Sequence, residues 1–283
     1  MLFKKIDIDK NNNVYLNCYL HEKEPRWDYG FDRPAVVVCP GGGYNMCSPR
    51  EADPIALHYS AAGYNAFVLY YTVGENAAFP KPLVDLSKAM KIIRENAAEW
   101  GVISNKIAVL GFSAGGHLAA SLGVHWNLPE VTQKSDCKNG ENQPNALILC
   151  YPVITTRSWM APHLGRLGAG RDPKEAEKLL DTSLNVGSHT PPTFLAHTFM
   201  DNAVSVEESM DFARALDNNN IPFELHIFPE GPHGLATGDE LTFPKTFPSF
   251  NKWIELSVLW LKETFADGEK PDRTKRARQT HSV

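Results

Sequence analysis

The stretch VLGFSAGGHLAA, Val109 to Ala120, puts a serine between glycines at the point where an apolar run gives way to small residues. Gly and Ser are common wherever a chain reverses, so a simple turn would account for them. The flanks say more. KIAVLGF, residues 106–112, reads as a short buried strand, and GGHLAASLG, residues 115–123, as a helix rich in small residues. Between them Gly111-Phe112-Ser113-Ala114-Gly115 fits G-x-S-x-G, the sharp strand-to-helix turn that lifts a serine hydroxyl above the end of a parallel strand. Small residues are needed on either side because strand and helix approach closely at so tight a turn.

Outward from this turn the chain alternates strands and helices. Residues 5–22 hold two alternating segments around DKNNN, an edge hairpin. AVVVC (35–39) is a continuous apolar run of the kind a parallel strand covered on both faces shows, and PGGGY follows it. Ser48-Pro49-Arg50-Glu51 combines an N-cap serine, a proline at the first helical position and a glutamate three residues after the cap, which predicts a helix over 49–62. NAFVLYYT (65–72) is the next strand. Leu86, Met90, Ile93, Ala97 and Trp100 recur at helical spacing up to Gly101, one helix with its apolar face on the sheet. ALILCYPV (146–153), TFLAH (193–197) and FELHIF (223–228) are further strands, and helices are expected over 204–217 and 250–265. The sum is a mostly parallel, doubly wound α/β sheet of about eight strands with helices on both faces. Residues 1–266 form one domain, a long irregular insertion over 154–192 walls the site, and the basic tail 267–283 reads as a solvated, disordered end.

Composition narrows the function. Of 283 residues 43% are apolar and 22% charged, enough for a sizeable core, and the formal net charge of -5 removes the broad basic field that phosphate-backbone binding needs. Nucleic acid and membrane are therefore not expected partners. The start, MLFKKIDIDKNNN, has no apolar core of a leader peptide, and no segment approaches about 18 uninterrupted apolar residues, so a cytoplasmic location is expected. Five cysteines without a C-x-x-C pair read as reduced structural thiols, and neither a metal site nor a cofactor is called for.

A serine hydroxyl is a poor nucleophile at neutral pH and needs a base within hydrogen-bond reach, oriented by an acid. Among ten histidines, His58, His117 and His226 fall inside regular elements and read as structural or surface groups. His233, in FPEGPHGLA just past the last strand, sits where α/β sheets gather their ligands. Asp201, in HTFMDNAV past the preceding strand, is the candidate acid; an aspartate near a helix N-terminus would also be favoured by the dipole. The chain order Ser113, Asp201, His233 is that of the serine elbow. PGGGY (40–44) offers N–H groups with no side chain in the way, and the Ala114 N–H is a further donor for a developing oxyanion.

With these residues the chain resembles the α/β-hydrolase superfamily, in particular its hormone-sensitive-lipase-like branch and the bacterial acetyl-xylan esterase (BD-FAE-like) members. PGGGYNMCSPRE, GFSAGGHLAA, TPPTFLAHTFMD and IPFELHIFPEGPHGLA stand in the family's order. The resemblance implies a three-layer α/β-hydrolase sandwich, Gly42, Gly43 and Ala114 as oxyanion donors, and a small-molecule ester as substrate: a short acyl, most often acetyl, group on a sugar hydroxyl of xylan fragments. Where many relatives have H-G-G-G this chain has Pro40-Gly41-Gly42-Gly43, so the histidine that braces the glycine loop is absent. Where relatives often show two acidic residues before the acid-loop helix, it has Met200-Asp201. Tyr44, Trp27, Trp126 and Trp159 offer flat faces to a pyranose ring or serve as packing. Short-chain esters or aryl-formamides without a sugar, and a non-catalytic binding module, are the competing readings; a gated peptidase of the prolyl-oligopeptidase type would need a further domain.

Overall fold

In the computed structural model, residues 1–23, 32–157 and 159–266 are described; Trp27 and the basic tail lie outside them. An antiparallel hairpin, β1 (Leu2–Asp9) and β2 (Val14–Leu20), leads to β3 (Arg33–Cys39). Then come α1 (Asp53–Ala61), β4 (Asn65–Tyr70), α2 (Lys81–Glu95), α3 (Ala97–Trp100), β5 (Val102–Phe112), α4 (Ser113–His125), α5 (Pro129–Ser135) and β6 (Ala146–Cys150). Two short helices, α6 (Leu164–Leu167) and α7 (Pro173–Leu180), precede β7 (Thr193–Thr198), α8 (Val206–Asn218), β8 (Phe223–Phe228) and α9 (Trp253–Thr264). The eight strands form one sheet in the order β1-β2-β4-β3-β5-β6-β7-β8, parallel from β4 to β8.

Alternation along the buried strands sends side chains to two cores. Val37, Val109, Leu147 and Leu195 pack under α2, α4 and α8, while Val36, Leu110, Ile148 and Phe194 pack under α1 and α9. This gives three layers, helix, sheet, helix, in which β3, β5, β6 and β7 are apolar on both faces. None of the described helices is long and apolar enough to cross a membrane.

Four expectations are corrected. The helix expected over 49–62 is a 3-10 turn, Pro49–Glu51, a break at Ala52 (φ -108°, ψ -107°), and then α1; the Ser48 side chain caps nothing. A continuous helix would place Pro54 in its interior, where the ring would collide with the carbonyl four residues back. The helix ending at Gly101 is broken at Asn96, whose side-chain amide donates to the Ile92 carbonyl. β6 stops at Cys150 because Tyr151 turns to φ 37°. The insertion is partly regular, holding α6, α7 and 3-10 turns, and a further helix, α5, follows α4.

The elbow is held by close packing. A Cβ at Gly115 would fall 2.2 Å from the Cys39 carbonyl oxygen and 2.4 Å from that of Pro40, so α4 sits directly on the end of β3. Because both neighbours are backbone, Gly115→Ala is expected to cost about 3 kcal/mol, the upper range for overpacking. A denaturation midpoint within error of the parent would contradict that packing.

Candidate active site

Ser113 is the first residue of α4 and adopts φ 52°, a conformation that costs a non-glycine residue roughly 1–3 kcal/mol. The elbow is held there from outside as well: the Val153 N–H donates to the Ser113 carbonyl at 3.1 Å. The loop after β8 brings His233 Nε2 to 2.8 Å from Ser113 Oγ, and the loop after β7 brings Asp201 Oδ2 to 2.7 Å from His233 Nδ1. Three residues separated by 120 positions along the chain thus form one hydrogen-bonded series.

Asp201 is fixed on all sides. Its Oδ1 accepts the Ala203 and Val204 N–H groups, each at 2.9 Å, while its side chain is 1% exposed. The aspartate therefore shapes a turn; α8 is capped by Ser205, whose hydroxyl accepts the Glu207 N–H. Burial pushes its pKa up, but hydrogen bonds from His197 and His233 outweigh that and hold the carboxyl well below the ordinary carboxylate range. Ionised Asp201 accepts a hydrogen bond from His233 Nδ1–H, so Nε2 is left to accept from the Ser113 hydroxyl. His197, the unforeseen member, is fully buried; its Nε2 lies 3.0 Å from the Val204 carbonyl and 3.4 Å from Asp201 Oδ2, and its Nδ1 2.8 Å from Ser209 Oγ. Inside the apolar strand TFLAHT nothing local in the sequence told which group that ring would face.

The glycine loop lies beside the serine. Gly42 (φ 126°) and Gly43 (φ 64°) take conformations that other residues rarely adopt. The Gly42 carbonyl accepts the Asn45 and Met46 N–H groups, and the Tyr71 hydroxyl donates to the Pro40 carbonyl at 2.6 Å. The Gly41 N–H is taken by Glu51. Among the described residues the Gly42 and Gly43 N–H groups have no protein acceptor. Ala114 is the second residue of α4, where a helix leaves its N–H groups without internal partners.

Tyr44 is 4% exposed and its hydroxyl is 2.8 Å from His117 Nδ1, so the phenol supports the loop from beneath, and the residue also lines a small cavity with Phe79, Leu83 and Leu118. His117 Nε2 is in turn 2.8 Å from the Leu180 carbonyl, which ties the insertion to α4. Burial drives the His117 imidazole down to about 4. Unfolding frees this ring to take up a proton below its ordinary 6.5, a proton the folded site refuses until about 4. Stability is therefore expected to fall as pH drops across that window, by at most about 1.4 kcal/mol per pH unit from this residue. His117→Gln should flatten the slope in denaturation series taken between those limits; an unchanged slope would remove His117 as its source.

The insertion also delivers Trp159 to the glycine loop: an atom at the Cβ position of Gly43 would lie 3.2 Å from the indole ring, which packs at 4.5 Å against His163. Trp159 is partly exposed, as is Trp126, whose Nε1 donates to the His189 carbonyl.

Residues 25–216 match the BD-FAE family, a span that includes Ser113 and Asp201, with His233 downstream. The chain belongs to this family. It is 37% identical over 238 residues to endo-1,4-beta-xylanase B of Butyrivibrio fibrisolvens, covering 81% of this chain and 35% of the relative. It is 31% identical over 244 residues to the acetylxylan esterase of Xylanibacter ruminicola, covering 82% of this chain and 46% of the relative. The chain thus spans less than half the length of these two curated relatives. Among solved structures, an acetyl ester-xyloside bifunctional hydrolase from Caldicellulosiruptor lactoaceticus superimposes with a TM-score of 0.74 at 33% identity, over 90% of each chain. Strand order, elbow and layers are those of an α/β-hydrolase.

Proposed function

We propose that this BD-FAE member is a serine carboxylic ester hydrolase that removes acetyl groups from xylan-derived or similar acetylated oligosaccharides. The observation that carries this reading is the series Ser113 Oγ, His233 Nε2, His233 Nδ1 and Asp201 Oδ2, with links of 2.8 and 2.7 Å, set beside unpaired backbone N–H groups. In the proposed mechanism His233 takes the Ser113 proton as the oxygen attacks the ester carbonyl. Asp201 holds the imidazole in the accepting tautomer and stabilises the imidazolium. The N–H groups of Gly42, Gly43 and Ala114 receive the oxyanion, each such donor accounting for about 10²–10³ in rate. The imidazolium gives its proton to the sugar oxygen as its bond to the acyl carbon breaks, releasing the sugar hydroxyl, and water repeats the sequence on the acyl-enzyme.

The named activities of the acetylxylan esterase relative and of the acetyl ester-xyloside hydrolase neighbour favour an acetylated sugar over other short esters. Trp159, partly exposed against Gly43, supplies an apolar wall of the kind a pyranose ring packs on. Two measurements test the assignment together: acetate release from acetylated xylo-oligosaccharides, and rates on p-nitrophenyl esters from acetyl to octanoyl. Ready acetate release and rates falling at least tenfold from acetyl to octanoyl are expected. A preference for eight carbons or more, with no acetate released from the oligosaccharides, would replace this reading with a lipase-like one.

A further inference from the structure

Glu51 is a carboxylate buried to 3% exposure one layer beneath Ser113. Its Oε2 accepts the Gly41 N–H at 2.8 Å, and a Cβ at Gly41 would come within 2.7 Å of that oxygen and 3.0 Å of Ser113 Cβ. Its Oε1 accepts the Tyr151 hydroxyl at 2.8 Å. That hydroxyl, through its second role, accepts the Ala236 N–H at 2.9 Å, and the Tyr151 ring meets His233 edge to face with centroids 5.0 Å apart. One carboxylate and one phenol therefore connect three loops: the glycine loop after β3, the turn after β6 and the histidine loop after β8. In the sheet β3 and β8 are four strands apart, close to 20 Å at the usual spacing of about 4.8 Å. Nothing in the sheet ladder itself fixes these two loops to each other.

We propose that Glu51 is a positioning residue of the active site, whose bridge through Tyr151 sets the oxyanion-binding N–H groups in register with Ser113 and His233. It takes the place of the loop histidine that Pro40 displaces. Burying a carboxylate is costly unless it is fully hydrogen-bonded, and the two bonds it receives here come from groups that define the site. Burial raises the Glu51 carboxyl above its ordinary value, with the Tyr151 and Gly41 hydrogen bonds and the nearby His233 opposing that rise. Small displacements of an oxyanion donor are enough to weaken transition-state binding without altering ground-state binding, because the donors are aimed at an atom position reached only in the reaction.

This inference rests on the serine-hydrolase reading above, and the test separates the two. Parent, Glu51→Gln, Glu51→Ala, Tyr151→Phe and the Gln/Phe double variant are titrated with a fluorophosphonate, so that kcat on p-nitrophenyl acetate is expressed per reactive serine. KM and the affinity for a trifluoromethyl ketone, whose adduct oxygen occupies the oxyanion position, are measured on the same samples. Glu51→Gln is expected to lower kcat per titrated site by about tenfold and Glu51→Ala by up to about 10². KM should stay within twofold and ketone affinity should fall in parallel. The double variant should lose no more than the weaker of its parents, because both substitutions cut one bridge. A purely structural Glu51 would lower the melting temperature and the titratable fraction while leaving kcat per site within threefold, and that result would overturn the proposal. Glu51→Gln preserves volume, so the comparison survives if Glu51→Ala does not fold. Turnover that persists in Ser113→Ala would instead overturn the hydrolase reading itself.

Discussion

Replacing Ser113 with alanine is expected to reduce ester turnover by about 10⁶-fold, the loss seen when a triad nucleophile is removed from a comparable serine hydrolase. The fold should be unaffected. Among the described residues the Ser113 hydroxyl is bonded only to His233, which is itself partly exposed, and the strained backbone at φ 52° suits alanine no better and no worse than serine. A fluorophosphonate should label the parent at Ser113 and leave the variant unlabelled. Residual turnover above about a thousandth of the parent, with an unchanged melting temperature, would move the nucleophile elsewhere; labelling at Ser121 or Ser205 would say where.

Asp201→Asn is expected to cost about 10⁴ in kcat, as when the acid of a triad becomes an amide that holds the histidine in the wrong tautomer. The geometry gives the reason. Asparagine can keep the Ala203 and Val204 N–H bonds through its oxygen, which turns the amide NH2 toward His233. That NH2 donates to Nδ1, the ring proton moves to Nε2, and the acceptor for the Ser113 proton is lost. Stability should change by less than about 1 kcal/mol, since the turn survives and His197 retains the Val204 carbonyl. Rates and a melting curve on one sample decide: a rate within threefold of the parent would take Asp201 out of the series and leave it as a turn former.

The strands and the three residues of the hydrogen-bonded series could be read from the sequence because each signal is local. Asp201 and His233 follow closely on apolar runs whose carboxyl ends share one edge, and Ser113 is marked by flanking glycines. What the sequence hid was long-range. Ser-Pro-Arg-Glu reads as a helix start, yet Glu51 spends its carboxylate on Gly41 and on Tyr151, a hundred residues away. Pro54 was the available clue, since it forbids the continuous helix that a capping glutamate implies. His197 was opaque for the same reason: an imidazole in an apolar strand announces burial but not its partner. The insertion hid α6 and α7 because helices of one or two turns carry too few periodic positions to stand out.

The indole N–H of Trp253, the first residue of α9, donates to the Ala236 carbonyl at 2.9 Å, and its ring packs on Phe112 beside the elbow. The loop that carries His233 is thus clasped from behind by the last helix, after β8 has joined the edge of the sheet. The last described helix therefore bears on where His233 is held, and Trp253→Phe, which removes the bond to Ala236, is expected to disturb the histidine loop while leaving the sheet intact.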